Sequence, residues 1–498
     1  MTDAMETRRA LACYWCFFLL LSSGRLSSAD AGEQLQASIL LATTGHLGAM
    51  APPASALGWQ QGPGGAYYEP HDIGGTLLML PAAMAGHLVS GQPAADDFDR
   101  PPIFSRLGAS LTYALLCGVG CLFLFRLFSL EQPIPVALLL GFGLALTTPF
   151  GAYAKTAWDV TAGACGMCAV LYTTAVVLRG RRNWRDLVAL GSAVAITSAF
   201  RYSLAPFLIV GVVGGLSTVR PRLSWREAAI VAGTTAIGFA PSLAYNFVRT
   251  GSPLLPATAT ASYLASNNAL TGNIVHGFLG VLFAPNRGLF VFAPACLLLF
   301  ALPLVWRRVS REDRRLLASA GGGVMLYVLF IARLKNWGGT FGWGPRFLIP
   351  IVPVVYFGAA LAFVALWDRW HRWLVGAIVA CVVATAPALL VNWSLAIVVF
   401  PQALDQDATT PAQHAAVWRT LADGLNGEPL PLPENLVDDA ERRVGARFPD
   451  IWIARVMERS RPGFLAGLAI ALVLVGIGAF HAWLLCVSSR RMKTKSAT

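Results

Sequence analysis

Residues 336–353 read NWGGTFGWGPRFLIPIVP. Gly338, Gly339, Gly342 and Gly344 let the backbone turn tightly, and the residues from Phe347 onward are apolar enough to enter a bilayer. Arg346 stands where the loop becomes the span. Trp337 and Trp343 lie in the same loop, where aromatic rings either anchor a chain at the membrane surface or offer flat faces on which sugars pack. The stretch therefore predicts a helical membrane protein whose chemistry sits on loops at the bilayer surface.

The rest of the chain agrees. Of its 498 residues 56% are hydrophobic and 13% charged, and the mean hydropathy is +0.59. That balance excludes an ordinary soluble domain. Apolar stretches long enough for a bilayer core of about 30 Å recur near 10–26, 107–125, 134–150, 160–178, 187–200, 203–217, 228–246, 288–306, 316–334, 347–366, 374–399 and 463–486. The expected fold class is all-α and polytopic, with about twelve transmembrane helices and long extracytoplasmic loops.

Orientation follows from the basic residues, which stay on the cytoplasmic side of short loops. RGRRNWR, RPRLSWR, RRVSREDRR and DRWHR, with the termini ETRR and SSRRMKTK, fall on one side and hold more than half of the 38 Lys and Arg. Both termini are thus expected in the cytoplasm of a multi-pass protein of the plasma (inner) membrane. The net charge of +12 is then topological, and nucleic-acid binding is excluded because no basic stripe alternates with exposed aromatics. The nine cysteines all fall in expected spans, so neither a disulfide framework nor a zinc site is implied; CYWC and CGMC read as packing residues. Residues 1–31 also have the outline of a signal peptide, but the even number of spans favours an uncleaved first helix.

Three outer segments are long: 27–106, 247–287 and 401–461. Within the first, 75–91 is apolar but short and reads as a helix lying in or dipping into the interface. The expected division is a core over 1–400 that includes 27–106, a small extracytoplasmic segment over 401–461, and a last helix with a basic tail over 462–498.

Candidate chemistry begins at SSADAGEQLQAS (27–38), just past the first span, where Asp30 and Glu33 share a helix face. Asp30 reads either as the helix cap or as a base able to take a proton from a hydroxyl, and Glu33 as a first-turn carboxylate. Arg201, Lys155 and Asp159 lie between closely spaced spans, at a depth where charge is costly and usually functional. Snorkelling explains Lys155 equally well, whereas Arg201 lies on the side that does not need basic residues.

WGGTFGWGPRFLIPIVP resembles the loop-and-span signature of bacterial membrane glycosyltransferases of the GT-C superfamily, the group of protein O-mannosyltransferases and aminoarabinose transferases. DAGEQLQASILLATTGHLG, YYEPHDIGGTLLMLPA, YNFVRTGSPLLP and APNRGLFVFAPACLL are similar to segments of such proteins in the same order. The resemblance implies a catalytic aspartate matched by Asp30, with Glu33 beside it in place of an adjacent acidic pair. It also implies a polyprenyl-phosphate sugar donor whose phosphate is held by Arg346, Arg201 or Lys155, in that order. Trp337, Trp343, His71, Asp72 and Asp159 are expected to contact sugar or acceptor. The implied reaction is transfer, with inversion, to a hydroxyl of a glycan, lipid or protein in the cell envelope, and the two groups should flank the anomeric carbon on the order of 10 Å apart. No cofactor or metal is implied, and no GxxxxGK phosphate loop is present, as a lipid-linked donor requires none. The competing readings are a secondary transporter, since about twelve spans suit two halves of six, and a non-enzymatic envelope-assembly protein.

Overall fold

Apolar runs punctuated by proline, glycine and basic turns give a chain that is helical almost throughout. The computed structural model describes residues 2–26, 28–52, 58–91, 98, 100–155, 157–219, 221–256, 270–285, 287–339, 344–385, 387–391, 410–426, 451–459 and 461–496. Among these, the longer helices are α1 (Thr2–Leu21), α2 (Ala29–Thr44), α3 (Ile73–Ser90), α4 (Ile103–Phe128), α5 (Ile134–Thr147), α6 (Asp159–Leu178) and α7 (Trp184–Phe200). They continue as α8 (Ala205–Ser217), α9 (Trp225–Thr250), α10 (Ile274–Phe283), α11 (Arg311–Ala332), α12 (Val352–Thr385), α13 (Thr410–Leu425) and α14 (Arg461–Ser496). A two-stranded antiparallel hairpin, β1 (Gln60–Gln61) with β2 (Tyr67–Tyr68), precedes α3.

The all-α polytopic class is borne out: seven described helical segments are long and apolar enough to cross a membrane, and α5, Tyr202–Ser217 and α10 are shorter apolar helices. α6 is buried on nearly every face and stands at the centre, against α4 and α7. Its composition explains this, because a helix apolar all round has no face that prefers water. Between lipid-embedded helices the gain comes from close approach, so small residues mark the seams. A Cβ on Gly166 of α6 would meet Thr197 of α7 at 2.4 Å, and one on Gly86 of α3 would meet the Ser105 backbone nitrogen at 2.5 Å.

The stretches 347–366 and 374–399 were expected as two spans around DRWHR; α12 is helical from Val352 to Thr385, but Tyr356 donates to the Leu140 carbonyl and Thr385 to that of Leu146, so both of its ends lie along α5 and the chain doubles back between them, with Asp368–Arg372 exposed at the bend. Two other expectations about the spans differ in detail. The span expected at 288–306 is instead a series of short turns, Leu289–Phe292, Pro294–Ala301 and Leu302–Val305, because Pro294 and Pro303 cannot donate helical hydrogen bonds. Finally α3, read as an interfacial helix, is long enough to count as a span. It folds back on the opening turns of α4, with Gly108 against Ala82 and Ser105 against Gly86. The rest of α4 continues to Phe128, and the short turn 129–133 leads into α5.

Candidate functional site

Six chain segments converge at one end of the bundle: the start of α2, the turn before α3, the start of α6, the end of α7, the end of α9 and the residues that lead into α12. α2 begins when Ser28, extended at φ −138°, accepts a hydrogen bond from the Ala31 amide at 3.1 Å. Ser28 is therefore the cap, and Asp30, expected as either cap or base, keeps its carboxylate for other partners. Its Oδ2 is paired with Nη2 of Arg346, 316 residues away in sequence. The Arg346 guanidinium also lies 4.1 Å from the ring centre of Trp158, a cation on an aromatic face.

The sequence thus brings Asp30 and Arg346 to one site, as expected, but in contact rather than about 10 Å apart. Opposite charges in surroundings of low dielectric attract far more strongly than in water, and Arg346 carries a long flexible side chain.

His71 bridges the acidic side. Its Nε2 is 3.7 Å from Asp30 Oδ1 and 3.5 Å from Glu33 Oε2, while its backbone amide donates to Glu69 Oε2 at 2.6 Å. Burial alone would lower the imidazole pKa. The hydrogen bond to Glu33 and the charges of Glu69, Glu33 and Asp159 outweigh it and raise the value to about 9, so His71 is a cation at neutral pH. The Glu33 side chain is 7% exposed and accepts from the Gly58 amide at 2.9 Å; that of Asp30 is 25% exposed, which leaves it the one of the two open to an incoming group.

Behind this layer stands Arg249, near the end of α9. It donates to the carbonyls of His71 at 2.5 Å and Glu69 at 3.2 Å, and to Asn246 Oδ1 at 2.8 Å. It also lies over the Tyr245 ring at 4.4 Å and 3.8 Å from Asp72. Asp72 precedes α3 but makes no cap hydrogen bond there; it accepts instead from the Tyr202 amide at 2.9 Å and so ties α3 to the turn after α7. Burial raises the pKa of Asp72 and of Glu69, with Arg249 opposing the shift at Asp72 and His71 and Arg249 opposing it at Glu69. α9 ends cleanly because Gly251 takes a left-handed conformation at φ 78°, which places Arg249 in the last turn facing the α3 turn.

Arg201 is paired with Asp159, whose other oxygen accepts from the Val160 amide at 2.7 Å. Phe347 lies under the Arg201 guanidinium at 5.7 Å, which places Arg201 beside the residue that follows Arg346. Lys155 is buried, four residues before Asp159, and its carbonyl accepts from Ser23. Trp337 is set apart from the pair: it packs on Gly280 of α10 and edge-on to His276, 5.8 Å between ring centres. Trp343 lies outside the described residues.

Sequence reasoning named Asp30, Glu33, His71, Asp72, Asp159, Arg201 and Arg346, all of which meet here. It passed over Glu69, Tyr245, Arg249 and Trp158. Arg249 carried a readable signal: an arginine in the last turn of an apolar helix, on the side that topology does not require to be basic.

Over 98% of its length the chain superposes on 77% of the crystal structure of ArnT from Cupriavidus metallidurans bound to undecaprenyl phosphate, with TM-score 0.50 and 16% identity. The same protein in the apo state gives TM-score 0.46 and 17% identity, over 96% of this chain and 75% of that one. The archaeal oligosaccharyltransferase AglB from Archaeoglobus fulgidus, in complex with an inhibitory peptide and a dolichol-phosphate, gives 0.43 and 11%, over 94% and 59%. No family model and no curated protein sequence matches. Identity this low speaks for the fold alone, and the fold is shared with the ArnT structure.

Proposed function

We propose that the protein is a membrane glycosyltransferase that moves a sugar from a polyprenyl-phosphate donor to an acceptor hydroxyl, on the outer side of a bacterial inner membrane and with inversion. The observation that carries this reading is the pairing of Asp30 with Arg346, a base and an anion-binding group drawn together from opposite parts of a GT-C fold. The basic turns gather at the opposite end of the bundle, which supports an outward site and cytoplasmic termini. The described helix Trp452–Arg459, which precedes α14, then belongs to the outer side.

In this mechanism the donor phosphate takes the Arg346 guanidinium, a fork that binds phosphate with two donors, and so displaces Asp30. The freed carboxylate removes the proton from the acceptor hydroxyl as its oxygen attacks the anomeric carbon. The bond from that carbon to the phosphate oxygen breaks, and the electron pair leaves with the lipid phosphate, stabilised by Arg346 and by Arg201 nearby. Protonated His71 and Glu33 orient Asp30, while Asp72, Asp159 and Arg249 hold the segments in register.

The test is transfer by the purified protein in lipid vesicles from polyprenyl-phosphate sugars labelled at the anomeric carbon, offered with envelope glycan, lipid and protein acceptors. Label should move to a hydroxyl with inverted configuration at that carbon. Retained configuration would remove the single-displacement mechanism, and binding of every donor without transfer would remove the enzymatic reading.

A further inference from the structure

At the end of the bundle opposite Asp30, the start of α11 faces the end of α8 across a cavity of about 570 Å³. Arg311, Arg314, Arg315, Trp306, Thr218 and Ser319 line it. Its volume falls within the range of small-molecule sites. Its charge is uncompensated: among the described residues none of the three arginines has a carboxylate partner. Glu312 and Asp313 belong to the same helical turn but do not line the cavity, and Asp313 is held by Arg179 at 2.7 Å. The hydroxyls of Thr218 and Ser319 donate to the carbonyls of Gly215 at 2.7 Å and Leu316 at 2.9 Å, so the guanidinium groups are the donors that face the space.

A second feature adjoins it. Ser319 also lines a narrow apolar crevice between α6, α8 and α11, with Gly211, Val212, Leu316, Ala320 and, at its far end, Tyr327. From Arg311 to Tyr327 is about 24 Å of helix axis at roughly 1.5 Å per residue, longer than one leaflet of a hydrocarbon core about 30 Å thick. A cationic chamber thus lies beside an apolar crevice that runs toward the middle of the membrane.

We infer that this chamber binds the phosphate headgroup of an anionic phospholipid from the cytoplasmic leaflet. Basic pockets between membrane helices on the cytoplasmic side select such lipids by charge, and arginine matches phosphate with paired donors. Snorkelling arginines would account for the charge alone. They would require no chamber between helices. The site is separate from the Asp30–Arg346 pair and does not depend on the transferase reading.

The test uses the full-length protein in vesicles of equal phosphatidylglycerol and phosphatidylcholine, released into detergent and read by native mass spectrometry. Retained phosphatidylglycerol should dominate. Arg311→Gln/Arg314→Gln/Arg315→Gln should reduce that retention about a hundredfold, at about fivefold per surface arginine. Arg222→Gln/Arg226→Gln, which removes basic residues from the same end outside the cavity, should leave it unchanged. Thr218→Trp places an indole in the chamber beside the arginines and keeps every charge, so it should also weaken retention of the lipid and stands in if the triple variant does not fold. Equal retention of both lipids, or full retention by Thr218→Trp, would overturn the site. Displacement of phosphatidylglycerol by millimolar inorganic phosphate would overturn the lipid as its occupant.

Discussion

Replacing Arg249 with Met keeps the length of the side chain and removes its charge and all its donors. In the structure that deletes hydrogen bonds to the carbonyls of His71 and Glu69 and to Asn246, the contact with the Tyr245 ring, and the cation nearest Asp72. The Arg249 side chain is only 2% exposed, so water does not replace these partners. Removing one member of a buried charge cluster costs about 3–5 kcal/mol, and we expect Arg249→Met to lose that much at neutral pH. The loss should depend on pH. Asp72 and Glu69 already have raised pKa values through burial, with Arg249 opposing the shift. Without Arg249 both rise further, so the folded variant holds protons that the unfolded chain releases, and its stability falls as pH climbs above the ordinary carboxylate range near 4. Below that range both groups are protonated in both states, and only the lost hydrogen bonds and ring contact remain, about 1–2 kcal/mol. Chemical unfolding of both proteins in one detergent, followed by tryptophan fluorescence from about pH 4 to 8, reads the difference. A gap that stays below about 0.5 kcal/mol, or that does not narrow on acidification, would refute the role given to Arg249.

Three further outcomes follow from the same geometry. Arg346→Lys keeps the charge but loses the fork, so the donor KM should rise about tenfold with a smaller change in kcat; an unchanged KM would mean the phosphate is held elsewhere. His71 should lose its proton as pH rises through about 9, leaving Asp30 and Glu33 without their shared cation, and turnover should fall across that window. His71→Gln should erase that limb, and a profile that keeps it would assign it to another group. Gly86→Ala places a methyl 2.5 Å from the Ser105 backbone nitrogen, so α3 and α4 must separate and thermal stability should drop by about 1–3 kcal/mol; a neutral result would mean the seam is looser than described.

The all-α membrane class was plain in the sequence because apolar length is a strong signal: each expected span except 288–306 contains a long helix or part of one. What could not be read was the break in 288–306, where Pro294 and Pro303 interrupt a run whose hydropathy alone looks like a span; the charged DRWHR, by contrast, does mark where the chain turns back. At the site, Asp30, His71, Asp72, Arg201 and Arg346 were legible as charges stranded next to apolar segments, where their desolvation demands a reason. Arg249 and Glu69 escaped because their role is to hold turns rather than to face an opening, and such contacts between distant segments leave no local pattern. Trp337 shows the converse: a tryptophan in a glycine-rich loop has the composition of a sugar platform, yet its six-membered ring packs against Gly280 of α10. Asp30 was ambiguous between cap and base until Ser28 proved to be the cap.

The central claim is that Asp30 is the base and Arg346 the phosphate group, and that donor and carboxylate compete for one guanidinium. Its most direct test is Asp30→Asn, with donor binding and single-turnover transfer measured on the same preparation. The substitution keeps the shape of the side chain, removes the proton acceptor and releases Arg346 from its partner. Transfer should fall by roughly a hundredfold or more while the donor binds as tightly as to the parent protein or more so. Transfer near the parent rate, or loss of donor binding along with transfer, would contradict the account.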